Sequence, residues 1–250
     1  MVLVAEIFKY LDELLVPEEF DDITYNGVQV QGKEKVEKIV FTVDSSLEIF
    51  EKTALINADL IITHHGLIWG SINKITDSIY NHLRVLIKND IGLYCSHLPL
   101  DKHNVVGNNI GISKLLGLTY EDDFNEYGII GNLKKSEAIK DIKQKLVDVL
   151  HTNVMSMEFG KMNVQRIAVC SGSSRPLVID EAVLKGVDCI ILGEGSSNSL
   201  FYYPAKEKKQ NILFAGHYAT EKVGIQALMK KVQERFHSLE CVFLDFPTGF

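Results

Sequence analysis

The chain has 250 residues, a length that suits either one large domain or two small ones. Its net charge of −7 argues against a basic surface for nucleic acid, and no apolar run is long enough to cross a bilayer. The first residues lack the basic region and long apolar stretch of a signal peptide, so we expect a cytoplasmic protein. The four cysteines form no Cys-x-x-Cys pair, which argues against a thiolate zinc site.

The first half of the chain predicts an α/β unit. An apolar strand leads through a small polar turn into an amphipathic helix and a second apolar strand, which ends at His64-His65. Apolar runs of this kind are typical of parallel strands covered by helices. The predicted elements are a helix over 4–15, a strand over 39–43, a helix over 47–56, a strand over 60–62, a helix over 77–88, a strand over 91–95 and a helix over 108–116.

The second half repeats this order. In both halves a third strand is followed by a histidine, three residues and an acidic residue: His97 and Asp101 in the first half, His217 and Glu221 in the second. The predicted elements are a helix over 136–150, a strand over 166–170, a helix over 176–185, a strand within 187–193, a polar helix over 198–209, a strand over 211–215, a helix over 220–236 and a strand over 241–246.

This repetition predicts the α/β class with a duplicated α/β unit. Any two strand–helix–strand segments look alike, but the shared His-x-x-x-acid pattern favours duplication over chance likeness. No low-complexity linker separates the halves, and residues 121–131 are the best candidate boundary. We therefore expect a first repeat over residues 1–125 and a second over residues 126–250, with mostly parallel sheets flanked by helices.

Potential metal ligands follow three of the predicted strands. In open α/β sheets, ligands bind beyond the carboxyl ends of the strands, so we expect these side chains to share one cleft. Neutral imidazole and carboxylate suit borderline divalent ions, whereas a surface or core role is the alternative for each residue. The sequence predicts two divalent ions held by His64, His65, Asp101, His217 and Glu221. Glu221 is the candidate bridge between the ions, because its longer side chain reaches from the start of a helix.

Three other features have more than one interpretation. His97 could be a ligand, an acid or base, or a support for Asp101. The segment Cys170–Ser174 is predicted to be a turn that opens a helix, and it could bind phosphate or cap the helix. Cys170 as a nucleophile with His217 is less expected, because its apolar surroundings indicate a buried thiol. Trp69 could stack on a base near the ions or pack beneath its loop, and packing is slightly favoured.

A set of motifs stands in a fixed order along the chain: Tyr25–Gly32, Thr63–Gly66, Ser96–Asp101, Gly107–Asn109 and Gly216–Glu221. Together they resemble the GTP cyclohydrolase 1 type 2 homologue family, also called the NGG-interacting-factor-three-like family, over essentially the whole chain. The resemblance implies two intertwined, duplicated α/β repeats, a dinuclear metal site on the five predicted ligands, and a toroidal homohexamer. It also places a histidine, here His97, beside the metals. One departure lies at Leu192–Asn198, where members often have Thr-Gly-Asp followed by histidine, and it puts the substrate in doubt.

The expected function is metal-dependent hydrolysis of a small molecule. The resemblance implies opening of the imidazole ring of GTP, to give a dihydroneopterin triphosphate and formate. We expect His97 to move protons in this reaction. Two alternatives stay open: phosphoester hydrolysis by the same ions, and a non-enzymatic metal-binding scaffold or regulatory partner. The ligand set suits zinc, iron, manganese or nickel. The expected partners are a small substrate such as a nucleotide and further copies of the chain.

Overall fold

The computed structural model describes residues 1–195 and 198–249, and the chain divides into two compact units. The first unit contains Met1–Val106 and Ile225–Phe246, and the second contains Gly107–Gly224 and the C-terminal residues from Pro247. Each unit is therefore built from two separate stretches of chain. Within the described residues, no helix combines the length and the apolar character needed to cross a membrane.

The helices and strands alternate along the chain as expected for an α/β protein. The α-helices are α1 (Val4–Leu15), α2 (Leu47–Leu55), α3 (Asp77–Lys88), α4 (Leu98–Lys102), α5 (Asn108–Leu116), α6 (Ile139–Leu150), α7 (Val178–Leu184), α8 (Asn198–Glu207) and α9 (His217–Arg235). The strands are β1 (Val2–Leu3), β2 (Gly27–Val30), β3 (Lys35–Val36), β4 (Lys38–Thr42), β5 (Leu60–Thr63), β6 (Gly92–Cys95), β7 (Thr119–Phe124), β8 (Gly128–Ala138), β9 (Met155–Glu158), β10 (Asn163–Ser174), β11 (Cys189–Gly195), β12 (Asn211–Phe214) and β13 (Glu240–Phe243).

The first unit is organised around a five-stranded sheet in the order β13-β4-β5-β6-β2. The first four strands are parallel, and β2 pairs antiparallel with β6. Every residue of β5 and β6 is buried, in agreement with the continuous apolar runs of the sequence. One side of the sheet packs against α2 and α3, through Val40, Ile61 and Leu93 of the strands and Phe50 and Leu86 of the helices. The last residues of β5 and β6, Thr63 and Cys95, are paired, so the two strands end side by side.

The second unit contains a six-stranded mixed sheet in the order β7-β8-β10-β11-β12-β9. Its centre, β10-β11-β12, is parallel, and the outer strands pair antiparallel. Helices cover both faces: α5 and α6 pack on one side, for example through Ile112 and Leu146, and α7 and α8 pack on the other through Ile179 and Phe201. The predicted α/β class with mixed sheets is thus confirmed.

An aspartate directly before a buried parallel strand of each unit, β5 in the first and β11 in the second, makes the same set of hydrogen bonds. Asp59 accepts from two successive backbone amides at the entrance to β4 and from Nζ of Lys33, at 2.8, 3.1 and 2.6 Å. Asp188 accepts from two successive amides early in β10 and from Nζ of Lys161, at 3.0, 3.1 and 2.6 Å. The matching bonds fit the interpretation that the two α/β units are repeats.

The structure corrects the sequence prediction at two places in β-structure. The predicted helix over 136–150 begins only at Ile139, because β8 continues to Ala138 and pairs there with β10. The segment Cys170–Ser174 is not a turn opening a helix: it is the last part of β10, it pairs with β11, and α7 starts at Val178. A register shift between Cys170 and Ser173 marks a bulge in this strand.

Candidate functional site

Three histidines of the first unit lie where parallel strands end. His64 and His65 directly follow β5, and His97 comes two residues after β6. The backbone amides of His64 and His65 continue the β-ladder to carbonyls of the neighbouring chain segment, at 3.3 and 2.7 Å. The three rings lie close together, with centroids 4.8, 5.1 and 5.7 Å apart. Each offers a nitrogen within 4.8 Å of the others, so this group could hold a metal ion.

The Nδ1 atoms of His64 and His65 are both held by oxygen acceptors. Nδ1 of His64 lies 2.9 Å from the carbonyl oxygen of Ser96, and Nδ1 of His65 lies 2.7 Å from Oδ1 of Asp44. Since carbonyl and carboxylate oxygens only accept, each Nδ1 carries the proton. Nε2 is then the unprotonated nitrogen of each ring, and it is the atom that can coordinate a metal.

Asp101 lies beside His64. It is in the first turn of α4, only 7% of its surface is exposed, and its Oδ2 is 3.7 Å from Nε2 of His64. The neighbouring Cys95 thiol donates to the carbonyl of His64 at 3.3 Å, and burial raises its pKa to about 12. The first unit therefore presents imidazole and carboxylate, but no thiolate, at the ends of β5 and β6.

His97 is held by a buried carboxylate. The oxygens of Asp22 lie 3.0 and 3.1 Å from Nδ1 of His97, and the Asp22 side chain is only 2% exposed. Asn26 donates to the same carboxylate and accepts from the His97 amide, at 2.9 and 2.8 Å. Burial alone would raise the pKa of Asp22, but the hydrogen bonds from His97 and Asn26 outweigh it and lower the pKa to about 2. The protein thus keeps His97 in one orientation with Nε2 directed away from Asp22.

The second unit carries the other two predicted ligands on one helix. His217 is the first residue of α9, and Glu221 follows one turn later on the same face. Nε2 of His217 lies 3.1 Å from Oε2 of Glu221, and Glu221 is 2% exposed. Nδ1 of His217 lies 2.9 Å from Oε1 of Glu194, at the end of β11. His217 therefore follows the same rule as the other three histidines: an oxygen holds Nδ1, and Nε2 is the nitrogen that can coordinate a metal.

The bulge in β10 makes room for Glu221. Gly172 has a φ of +65°, and a Cβ atom at this position would collide with Oε1 of Glu221. Its amide donates to Oγ1 of Thr220 at 3.1 Å, and the amide of Ser171 donates to Asn109 at 2.7 Å. Since these two amides already have acceptors, they do not support the interpretation of the segment as a phosphate-binding turn, which was one of its two alternatives.

The structure also shows where the other residues singled out in the sequence lie. Cys170 is buried, as expected from its apolar neighbours. Trp69 leaves 41% of its surface exposed, so it is only partly packed beneath its loop. Of the departing segment Leu192–Asn198, Glu194 is well placed against His217, whereas positions 196–197 lie outside the described residues.

Sequence reasoning missed the acceptors that hold the histidines. Asp44 and Glu194 could have been found by the rule that located the ligands, because Asp44 follows β4 and Glu194 lies at the end of β11. Asp22 lies in a loop before β2 and carries no such positional signal. The structure brings His64, His65, His97 and Asp101 together within the first unit, and His217 and Glu221 within the second. All of these donors are imidazole or carboxylate, a set that fits a borderline divalent metal.

Known proteins are similar to this chain in sequence or in fold over nearly their whole length. A protein of Archaeoglobus fulgidus named "GTP cyclohydrolase 1 type 2 homolog" is 38% identical over 98% of both chains, and one of the same name from Pyrococcus horikoshii is 42% identical over the same share. A solved structure described as protein ybgI, of unknown function, covers 100% of both chains with a TM-score of 0.92 and 33% identity. The Duf34/NIF3 (NGG1p interacting factor 3) family matches residues 2–248. The chain therefore belongs to the Duf34/NIF3 family.

Proposed function

We propose that this protein is a dinuclear metal-dependent hydrolase of the GTP cyclohydrolase 1 type 2 kind. One observation carries the proposal: all four histidines at the strand ends have Nδ1 held by a carboxylate or carbonyl oxygen. Metal-binding histidines are typically supported in this way, whereas histidines with only a surface role need no common orientation. The shared arrangement favours a built metal site over four unrelated polar residues.

The proposed ligands are those that the sequence predicts. His64, His65 and Asp101 come from the first unit, and His217 and Glu221 come from the second, with Glu221 as the proposed bridge between two ions. Zinc, iron, manganese and nickel all accept such donors. When bound, the ions would supply a water molecule whose pKa is lowered towards neutrality.

His97 is the proposed acid–base residue. Its Nδ1 proton is donated to Asp22, so Nε2 is the atom that accepts a proton from water or returns one to a leaving nitrogen. Asp22 remains charged at neutral pH, because its pKa is about 2, and it would stabilise the imidazolium that forms. His97 is therefore proposed as an acid–base residue and not as a metal ligand.

The proposed substrate is GTP, as the names of the relatives and the motif resemblance suggest. A first water would add at C8 of the guanine ring and open it to a formamide, and a second water would hydrolyse the formamide, so that both bonds from C8 to nitrogen break and C8 leaves as formate. The ribose would then rearrange to a ketose, whose carbonyl would condense with the amine freed from C8, which releases one water and gives dihydroneopterin triphosphate. The donor set alone supports hydrolysis in general and does not select GTP.

The test is incubation of the purified protein with GTP and, in turn, each of the four metals. We expect formate and a fluorescent pterin, together with loss of both in His64→Ala and no loss in His237→Ala, whose histidine is exposed and lies outside the motifs. Release of inorganic phosphate without formate would favour a phosphoesterase instead. A protein that turns over neither, with every metal, would contradict the hydrolase proposal and favour a scaffold.

A second measurement tests whether the two sets of ligands act on one metal pair. Elemental analysis of His65→Ala, His217→Ala and the double variant gives the ions bound per chain. A shared pair predicts that each single variant loses affinity for both ions and that the double variant is little worse. If each single variant lost only one ion and the double variant lost both, the two sites would be independent.

The homohexamer implied by the family resemblance is also part of the proposal. Light scattering on the purified protein measures the mass of the assembly directly. A mass near six times that of the 28.1 kDa chain is the expected result, and a monomer at working concentration would contradict it.

A further inference from the structure

Trp69 is an exposed indole beside the histidine group of the first unit. Its ring centroid lies 5.1 Å from that of His97 in an edge-on arrangement and 6.1 Å from that of His65. With 41% of its surface exposed, it offers part of a large aromatic face to solvent next to polar imidazoles. A flat apolar face next to convergent polar groups is the usual composition of a small-molecule site.

The indole is held in place before any ligand arrives. Its Nε1 donates to the carbonyl of Gly66 at 2.7 Å, and its backbone forms a β-bridge with Thr24. Oε1 of Gln29 accepts from the amides of Leu67 and Ile68 at 2.7 and 3.0 Å, which fixes the loop that leads to the indole. Because the ring is already ordered, a ligand that stacks on it would lose little affinity to the ordering of this loop.

We propose that Trp69 is the stacking face for the planar base of a nucleoside ligand, whose reacting edge is thereby turned towards His65 and His97. The inference rests on the proposed function, since it assigns one part of that substrate to one side of the site. Stacking on an aromatic ring tolerates every base, because each base has a π-face. Trp69 would therefore hold planar bases as a class, and the choice among them would come from groups at the base edge.

Trp69 is the one tryptophan in the sequence, so its emission reports on this position alone. The protein as purified is titrated with guanosine, adenosine and ribose 5-phosphate, with excitation at the red edge of the indole band, where the bases absorb little. We expect both nucleosides to quench the emission to a plateau and ribose 5-phosphate to leave it unchanged. Equal responses to all three ligands, or no saturable response to either nucleoside, would overturn the proposal.

A variant pair separates stacking from general damage. Equilibrium dialysis measures binding of guanosine and of inorganic triphosphate to Trp69→Leu and to Tyr203→Leu, whose tyrosine is 68% exposed on α8. We expect Trp69→Leu to bind guanosine about 10- to 100-fold more weakly with triphosphate binding unchanged. Tyr203→Leu should match the wild type for both ligands. Unchanged guanosine binding in Trp69→Leu would also overturn the proposal.

The failure of stacking and the failure of the proposed reaction give different results. Formate is measured in parallel incubations of the same protein preparations with GTP. Saturable quenching by nucleosides without formate from GTP would support the stacking face and contradict the cyclohydrolase. Formate from GTP with full activity and unchanged KM in Trp69→Leu would support the reaction and contradict the stacking face.

Discussion

Nδ1 of His217 lies 2.9 Å from Oε1 of Glu194, so the segment that departs from the family pattern supplies the acceptor for a proposed ligand. Removal of this carboxylate should free the imidazole to rotate and weaken its basicity. We expect Glu194→Ala to lower metal affinity by about 10- to 100-fold, with partial recovery in Glu194→Gln. Calorimetric titration with Zn²⁺ measures the change. Glu207→Ala, at an exposed position of α8, is the control, and equal affinity in Glu194→Ala and Glu207→Ala would refute the role.

Gly172 should be needed for the position of Glu221. A methyl group here would meet Oε1 of Glu221, whereas Gly186 has nearly the same φ, +66°, with nothing close to its Cβ position. Both alanine variants therefore bear a backbone strain of about 1–2 kcal/mol, and only Gly172→Ala displaces the carboxylate. We expect both to lose similar stability in urea and Gly172→Ala alone to lose bound metal. Metal retained by both would show that Glu221 tolerates the added methyl group.

Asp22 should affect turnover without affecting metal content. In Asp22→Asn the uncharged amide can no longer stabilise a protonated His97. The imidazole of His97 can also form its hydrogen bond to this amide in the opposite tautomer. We expect kcat to fall by about 100-fold or more with ions per chain unchanged. The exposed neighbour Asp21 provides the matched control, Asp21→Asn. Loss of metal in Asp22→Asn would instead place His97 among the ligands.

The same carboxylate predicts how stability depends on acid. The pKa of Asp22 falls from 3.8 to about 2 on folding, so the folded state binds its proton less readily than the unfolded state. Its contribution to the free energy of unfolding is complete above about pH 4 and is lost as the pH falls towards 2. Urea denaturation at a series of pH values should show a shallower acid loss in Asp22→Asn than in Asp21→Asn. Identical slopes would contradict the assignment.

The parallel strands and the proposed ligands could be predicted from sequence because both depend on local patterns. Buried parallel strands such as β5 read as continuous apolar runs, and the polar residues that follow them stand out. The same rule should have led to Asp44 and Glu194, which also lie where strands end. A position at a strand end does not by itself distinguish a carboxylate that binds metal from one that orients a histidine, because both kinds of residue stand there.

The antiparallel strands were harder to predict because their residues carry a weak pattern. All but the last residue of β7 are exposed, so the strand has no apolar face to identify it. β8 runs on to Ala138 through polar residues that read as the start of a helix, and only its pairing with β10 keeps them extended. Asp22 has no strand before it, and its contact with His97 joins positions 75 residues apart. Such long-range pairings are set by the tertiary fold.

The division of α9 has a consequence for any attempt to isolate half of the molecule. Residues up to Gly224, including His217 and Glu221, belong to the second unit, whereas the helix from Ile225 and then β13 belong to the first. A fragment that stops at residue 125 would lack β13 and leave β4 as an open sheet edge, which invites aggregation. The first unit does not correspond to an unbroken stretch of gene, so truncation cannot deliver it alone; an internal deletion that joins Val106 to Ile225 through a linker is the route to studying it by itself.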